Sequence, residues 1–369
     1  MKKFKIVILL FLSSLVFTSC GGDVPKTGAG ISNKTQITGK IDNDNYRSVI
    51  QHGHYLTSKT RGLTNNQDQN NLDVKSFESG LLDISKKQFS IKKYIFQEGQ
   101  YISSAKAQDW LERKSHKNPE GLNPSDKKSP IYLQSIEEQD YMKQSGKKLK
   151  LSGMTIGLSL NSVYYYDKGK SGTQESENIS DQDLINQGEN IANKVIKRVR
   201  QIKGVSDNLP IVIALYKQSS EDSLVGGTFV KFTVNKGGSI INWHNVNERN
   251  EILPSIGGDN SNNDHSTISR DFDDFKNQVQ NFFPNLSGVV AQVHYTNDNL
   301  SGMNITITTQ FYSETEIISF TQYIAQIAPK YLPGGVPINI TVQSTNGIQS
   351  FLSRKQNQTK FYSHVFTSY

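Results

Sequence analysis

The 369-residue chain has one cysteine, ten prolines and two tryptophans. A lone cysteine rules out a disulfide framework and any cysteine-based zinc cluster. Ten prolines and 28 glycines are too few for a fibrous or low-complexity chain. No apolar run reaches the roughly 20 residues that a spanning helix needs, and a mean hydropathy of −0.54 excludes a polytopic membrane protein. A phosphate-cradling G-x-x-x-x-G-K-[ST] loop and a G-x-S-x-G nucleophile elbow are both missing. What is present is apolar bulk, with 17 Phe and 16 Tyr. That is enough to fill the cores of about two domains of ordinary size.

The formal charge is +7, falling to +4 without Lys2, Lys3 and Lys5. Residues 113–150 alone hold nine Lys/Arg against five Asp/Glu. So local an excess reads as a solvated basic face. A nucleic-acid groove would need denser basic clusters interleaved with aromatics, so no nucleic-acid partner is expected.

The first twenty residues indicate the compartment. Lys2, Lys3 and Lys5 precede an apolar run from Ile6 to Phe17, followed by Thr18-Ser19-Cys20. A charged start, a short apolar run and small residues describe an export signal, residues 1–19. Cys20, after an apolar and two small residues, sits where bacterial lipoproteins are acylated. Phe17 stands where Leu is usual and keeps the position apolar. Several acyl chains anchor stably, at about 0.8 kcal/mol per buried methylene. The expected location is therefore the extracellular face of the cell membrane, held by lipid. Residues 20–45 are small and polar and read as a flexible tether.

The folded part is expected to be α+β, with a first domain over 46–270 and a second over 271–369. Ala105, Ala107, Trp110 and Leu111 predict a short helix capped by Ser103 or Ser104, and residues 115–130 a loop. Met154 to Tyr166 reads as a strand. Leu184, Ile191, Val195, Val199 and Ile202 give a helical stripe behind Ser180 and Asp183 at capping spacing. Leu209 to Tyr216 is a strongly apolar strand, and Thr228 to Val234 another. The unit then recurs. Ser301-Gly302-Met303 parallels Ser152-Gly153-Met154, Ser313 and Glu316 repeat the capping spacing, and Val336-Pro337 parallels Leu209-Pro210. This predicts two related strand–helix–strand modules. The polar stretch 254–270 is the expected boundary, with a short helix over 272–283 beyond it.

No residues assemble into a self-sufficient catalytic set. His52 and His54 lack partner ligands, so no metal site is assigned, and no motif calls for a cofactor. Glu137, Glu138 and Asp140 sit inside the basic stretch and read as local charge balance. Tyr164 and Tyr166 share one strand face. With Asp140, Asp222 and Trp243 they are the candidates for facing a ligand. A second reading, a cell-envelope hydrolase acting on peptide or glycan, would need Asp140, Asp222, His244 and Glu248 gathered in one cleft. A transporter's substrate-binding lipoprotein ranks third, since a long alternating βα run is lacking.

Longer stretches resemble a known family. They include Phe77 to Phe89 (FESGLLDISKKQF), Glu98-Gly99-Gln100-Tyr101, Gly121-Leu122-Asn123-Pro124, Pro130-Ile131-Tyr132-Leu133 and Glu138-Gln139-Asp140-Tyr141. They continue with Gly153 to Tyr166 (GMTIGLSLNSVYYY), Pro210 to Gln218 (PIVIALYKQ), Asp222-Ser223 with Gly227-Thr228-Phe229, and Trp243 with Asn247-Glu248. In order and spacing these resemble the CamS-type sex-pheromone lipoproteins of low-GC Gram-positive bacteria, from about residue 45 to the C-terminus. The resemblance implies a lipid-anchored surface protein whose signal peptide yields a short hydrophobic pheromone, here from a run such as Ser13 to Ser19 (SSLVFTS). It assigns no activity to named residues of the folded part. That part is expected to bind a cell-envelope polymer or a peptide, and not to be an enzyme.

Overall fold

The computed structural model describes residues 35–65, 70–168, 173–238, 240, 242–255, 263–282, 288–311 and 313–367. The expected signal segment, Cys20 and the tether up to residue 34 lie outside the described residues.

Two sheets organise the chain. The first uses β1 (Thr35–Ile37), β2 (Arg47–Gln51), β3 (His54–Tyr55), α1 (Val74–Gln88), β4 (Ile95–Glu98), α2 (Ser104–Leu111), β5 (Leu133–Ser145) and β6 (Lys148–Leu160). After them come a separate hairpin of β7 (Val163–Lys168) and β8 (Thr173–Asn178), then α3 (Asp181–Val199), β9 (Ile211–Lys217), β10 (Thr228–Asn235) and β11 (His244–Asn245). The strand order is β1-β2-β4-β5-β6-β9-β10-β11, with β3 beside β2. The second sheet runs β12 (Glu248–Leu253), β13 (Gly288–Thr296), β14 (Asn299–Thr308), β15 (Ile338–Ser344), β16 (Gly347–Arg354) and β17 (Tyr362–Val365) in that order. Its helices are α4 (Asn263–Phe282) and α5 (Glu314–Tyr331).

The repeated sequence unit is a repeated structural unit. In each copy a hairpin leads into a crossover helix and a parallel strand, followed by an antiparallel one, β5-β6-α3-β9-β10 and β13-β14-α5-β15-β16. Met154 registers with Ile211 and Met303 with Ile338. The Met154 and Met303 N–H groups donate to the carbonyls of Pro210 and Pro337, both at 3.1 Å. Each proline sits just before its strand, where its missing N–H costs no ladder bond. Ser180 caps α3 by accepting from the Asp183 N–H, and Ser313 with Glu316 closes a full capping box on α5.

The sheets differ in cover. In the first, α3 packs Leu184, Ile191, Val195 and Val199 on one face, over Met154, Ile156, Ile211 and Ile213. The opposite face is covered by α1 through Phe77, Leu81 and Ile84, over Val212, Ala214 and Tyr216. In the second, α4 and α5 lie side by side on one face and bury Phe272, Phe275, Phe320 and Ile324 over Ile305 and Ile340.

Several expectations change. Thr35–Ile37, placed in the tether, form β1 and pair antiparallel with β2; the β-branched residues Thr35 and Ile37 alternate with Gln36, and Ile37 packs on the core. The long strand expected over 154–166 breaks at Asn161, whose buried amide donates to Ile131 O and Gln134 Oε1. The helix expected over 272–283 starts earlier, so part of the polar stretch before 270 is the first half of α4; Ile268 carries the stripe of Phe272, Phe275 and Val279 one turn further back. The chain passes between sheets from Asn245 to Glu248, whereas residue 270 lies within α4. Among the described residues no helix is long and apolar enough to cross a membrane.

Candidate functional site: a cleft between the two sheets

Helix α1 builds one wall. Its N-cap Asp73 accepts from the Ser76 N–H at 2.9 Å and the Ser76 hydroxyl at 2.8 Å. Its apolar stripe faces the core, which turns Ser76, Ser79, Gly80 and Asp83 towards a cavity of about 330 Å³. The loop Val225-Gly226-Gly227 closes one end. A Cβ on Gly227 would lie 2.0 Å from the Lys217 carbonyl oxygen, and one on Gly80 2.6 Å from the Phe229 ring. Only glycine permits these approaches.

The second sheet supplies the other wall through Asn250, Gln292, His294, Asn304 and Asn339. Two residues of β12 also dock on the first sheet. Glu248 accepts from the Phe229 N–H at 3.1 Å, and burial raises its carboxyl above the ordinary range. Asn250 donates to the carbonyls of Gly226 and Gly227 at 3.1 and 3.2 Å. Those bonds orient its amide, so Asn250 Oδ1 must accept from His294 Nδ1 at 2.7 Å. Burial also lowers the His294 pKa. His294 is therefore the neutral, Nδ1-protonated tautomer, with Nε2 left as an acceptor.

Tyr216 lines the same cavity and is only 1% exposed. Its ring is held by Phe77 and Phe229 at 5.0 and 5.1 Å. Its hydroxyl has no hydrogen-bond partner. The Gly227 N–H approaches it without closing a bond of ordinary geometry. An orphaned buried hydroxyl costs about 1–3 kcal/mol, and a bound acceptor would relieve it. Among the described residues no group of three His, Cys, Asp or Glu could hold a metal ion.

The family model of the CamS sex pheromone cAM373 precursor matches residues 55–360. The chain belongs to the CamS family. It is similar to the crystal structure of a sex pheromone precursor from Lactobacillus salivarius, at 49% identity and a TM-score of 0.85 over 91% of this chain and 100% of that one. It is also similar to the C-terminal domain of the sex pheromone staph-cAM373 precursor from Staphylococcus aureus, at 29% identity and a TM-score of 0.70 over 82% and 99% of the two chains. No curated protein matches it.

In this CamS-family chain the residues expected to face a ligand do not meet. Tyr164 is buried, stacks on Tyr166 at 5.4 Å and accepts from Arg113 Nη2 at 3.1 Å. Tyr166 is half-buried, its hydroxyl 3.2 Å from Glu175 Oε2. Trp243 packs against the first core, and Asp222 is exposed in a turn. Asp140 is fully buried on β5. With Glu138 it receives the backbone N–H groups of Gln100, Tyr101 and Ile102. Burial and the neighbouring Glu138 together push its carboxyl well up. The acidic trio Glu137, Glu138 and Asp140 is thus internal and not a surface charge balance. His244 stacks on Phe232, so of Asp140, Asp222, His244 and Glu248 only Glu248 lines the cleft. Asp73, Asp83, Tyr216, Asn250 and His294 carried no motif. The signal available for them was the Gly226-Gly227 pair, which marks a close backbone approach.

Proposed function

We propose that this chain is the precursor of a lipid-anchored protein on the extracellular face of the cell membrane. Residues 1–19 direct export and supply the short hydrophobic peptide, Cys20 carries the acyl chains, and the folded part is a binding module whose site is the cleft. The observation that carries the cleft reading is the orphaned Tyr216 hydroxyl at its wall. The carboxyl groups of Asp73, Asp83 and Glu248 and the amides of Gln292, Asn304 and Asn339 surround it. Carboxylates next to neutral amides suit a basic peptide, with its ammonium groups on the former and its backbone on the latter.

Two variants test the halves separately. Cys20→Ala moves the protein from the membrane fraction to the medium and removes the acyl mass; unchanged membrane retention refutes the anchor. Ser79→Trp fills the cleft from an exposed position on α1. It abolishes binding of the probe peptide Ala-Lys-Ala with the melting temperature unchanged, whereas equal binding by both proteins refutes the site.

A further inference from the structure

The second sheet has one face packed by α4 and α5; its opposite face meets α1 across the cleft at Gln292, His294, Asn304 and Asn339 and, among the described residues, carries no helix of its own unit. The equivalent face of the first sheet is covered by α1, and there β9 presents Val212, Ala214 and Tyr216. At the matching positions β15 presents Asn339, Thr341 and Gln343, in register with Asn304, Thr306 and Thr308 of β14. Duplication has thus replaced an apolar seat for a helix with a row of amides and hydroxyls.

Exposed sheet faces ordinarily carry Lys and Glu, which keep them soluble and unpaired. This one does not. Strands β13 to β17 contain one Asp, Glu, Lys or Arg among them, Arg354. That side chain is 2% exposed and reaches back to the Pro333 carbonyl. The chain as a whole is 20% charged, so the depletion belongs to these five strands; β12, at the cleft edge, keeps Glu248, Arg249 and Glu251.

What occupies the face is ordered. Ser353 Oγ donates to Asn339 Oδ1 at 2.8 Å, and Asn339 Nδ2 donates to Asn304 Oδ1 at 3.0 Å. One hydrogen-bonded rung therefore crosses β16, β15 and β14. It leaves the Asn304 amide nitrogen and the Thr306 and Thr341 hydroxyls without a protein partner among the described residues. At the β17 edge the rung meets aromatic rings. Phe351 lies 5.9 Å from Tyr362 and from His364, and 6.0 Å from Phe366. Tyr362 is 64% exposed and Phe366 46%. From Asn304 to Tyr362 is three strand spacings, roughly 14 Å, the span of a short oligosaccharide.

We propose that this open face of the second sheet, with the Asn304–Asn339–Ser353 rung and the Phe351, Tyr362 and Phe366 rings, binds an uncharged glycan chain. Sugars present apolar C–H faces that stack on aromatic rings, and hydroxyls that both donate and accept. A charge-free surface pairs with them without stranding an ion during desolvation. An anionic polymer would call for the Lys and Arg that these strands lack. The face shares Asn304 and Asn339 with the cleft wall, but its aromatic end at Phe351, Tyr362 and Phe366 lies outside the cleft lining and stands whether or not the cleft takes a peptide.

The test is calorimetric titration of the detergent-solubilised full chain with hexamers of β-1,4-glucose, β-1,4-N-acetylglucosamine and α-1,4-glucose. Saturable binding of at least one hexamer is expected. Phe351→Ala with Tyr362→Ala weakens it about tenfold, and Thr306→Lys, at an exposed position, weakens it with folding unchanged. Phe351→Ala with Tyr362→Ala, whose rings lie outside the cleft lining, leaves Ala-Lys-Ala binding in the cleft intact. Three outcomes overturn the proposal: no hexamer binds, the Thr306→Lys and aromatic variants bind as wild type does, or these variants abolish a self-association of the protein, which would make a second copy the occupant.

Discussion

Glu137 lies on β5, under α1, and is 7% exposed. Glu78 and Glu98 lie close to it, and Arg61, which pairs with both of those, is the nearby cation. Burial first, then the two glutamates, raises its carboxyl from 4.5 to about 8 against the opposing pull of Arg61. The folded value is above the unfolded one. The resulting stability is therefore complete below pH 4.5 and is lost as pH rises through 8. Each tenfold gain in proton affinity on folding corresponds to about 1.4 kcal/mol, so the loss across that window is on the order of 5 kcal/mol. Glu137→Gln keeps the shape and removes the titration. Urea unfolding of wild type and variant at pH 5, 6.5 and 8.5 isolates this group, because Glu138 and Asp140 titrate in both proteins. The variant gains steadily on wild type across the series and exceeds it at pH 8.5. Parallel pH profiles of the two proteins would refute the reasoning.

Two further substitutions probe packing and the cleft. Gly153→Ala places a Cβ 2.3 Å from the Phe89 ring, which is fully buried and cannot retreat; a loss of about 1–3 kcal/mol in urea unfolding is expected, and unchanged stability would contradict the tight approach of β6 to α1. Tyr216→Phe removes a hydroxyl that bonds to nothing in the protein, so stability holds or rises by about 1 kcal/mol while Ala-Lys-Ala binding weakens; a loss of stability in the variant would mean that the hydroxyl is already satisfied.

The duplicated unit was legible because its signals are local and repeat. A helical apolar stripe, a serine cap and a proline before a parallel strand recur in order, and each has one physical reading. β5 was not legible. It is central and covered on both faces, a setting that usually carries a continuous apolar run. Here it carries Glu137, Glu138, Gln139 and Asp140, with Glu138 and Asp140 held by backbone donors from the loop after β4. Tyr164 and Tyr166 share a face as alternation predicts, yet that face is turned to Arg113 and the core. The cleft escaped the sequence because α1, β9, the 225–227 loop, β12, β13, β14 and β15 each lend it only a few ordinary residues. Nothing in Asp73, Asn250 or His294 alone distinguishes them from solvated polar groups.

The cleft as the ligand site of the folded part is tested most directly by a crystal structure of the full chain with Ala-Lys-Ala bound. A carbonyl or carboxylate oxygen of the peptide is expected about 3 Å from the Tyr216 hydroxyl. A peptide seated elsewhere, with that hydroxyl still unpartnered, would contradict the assignment.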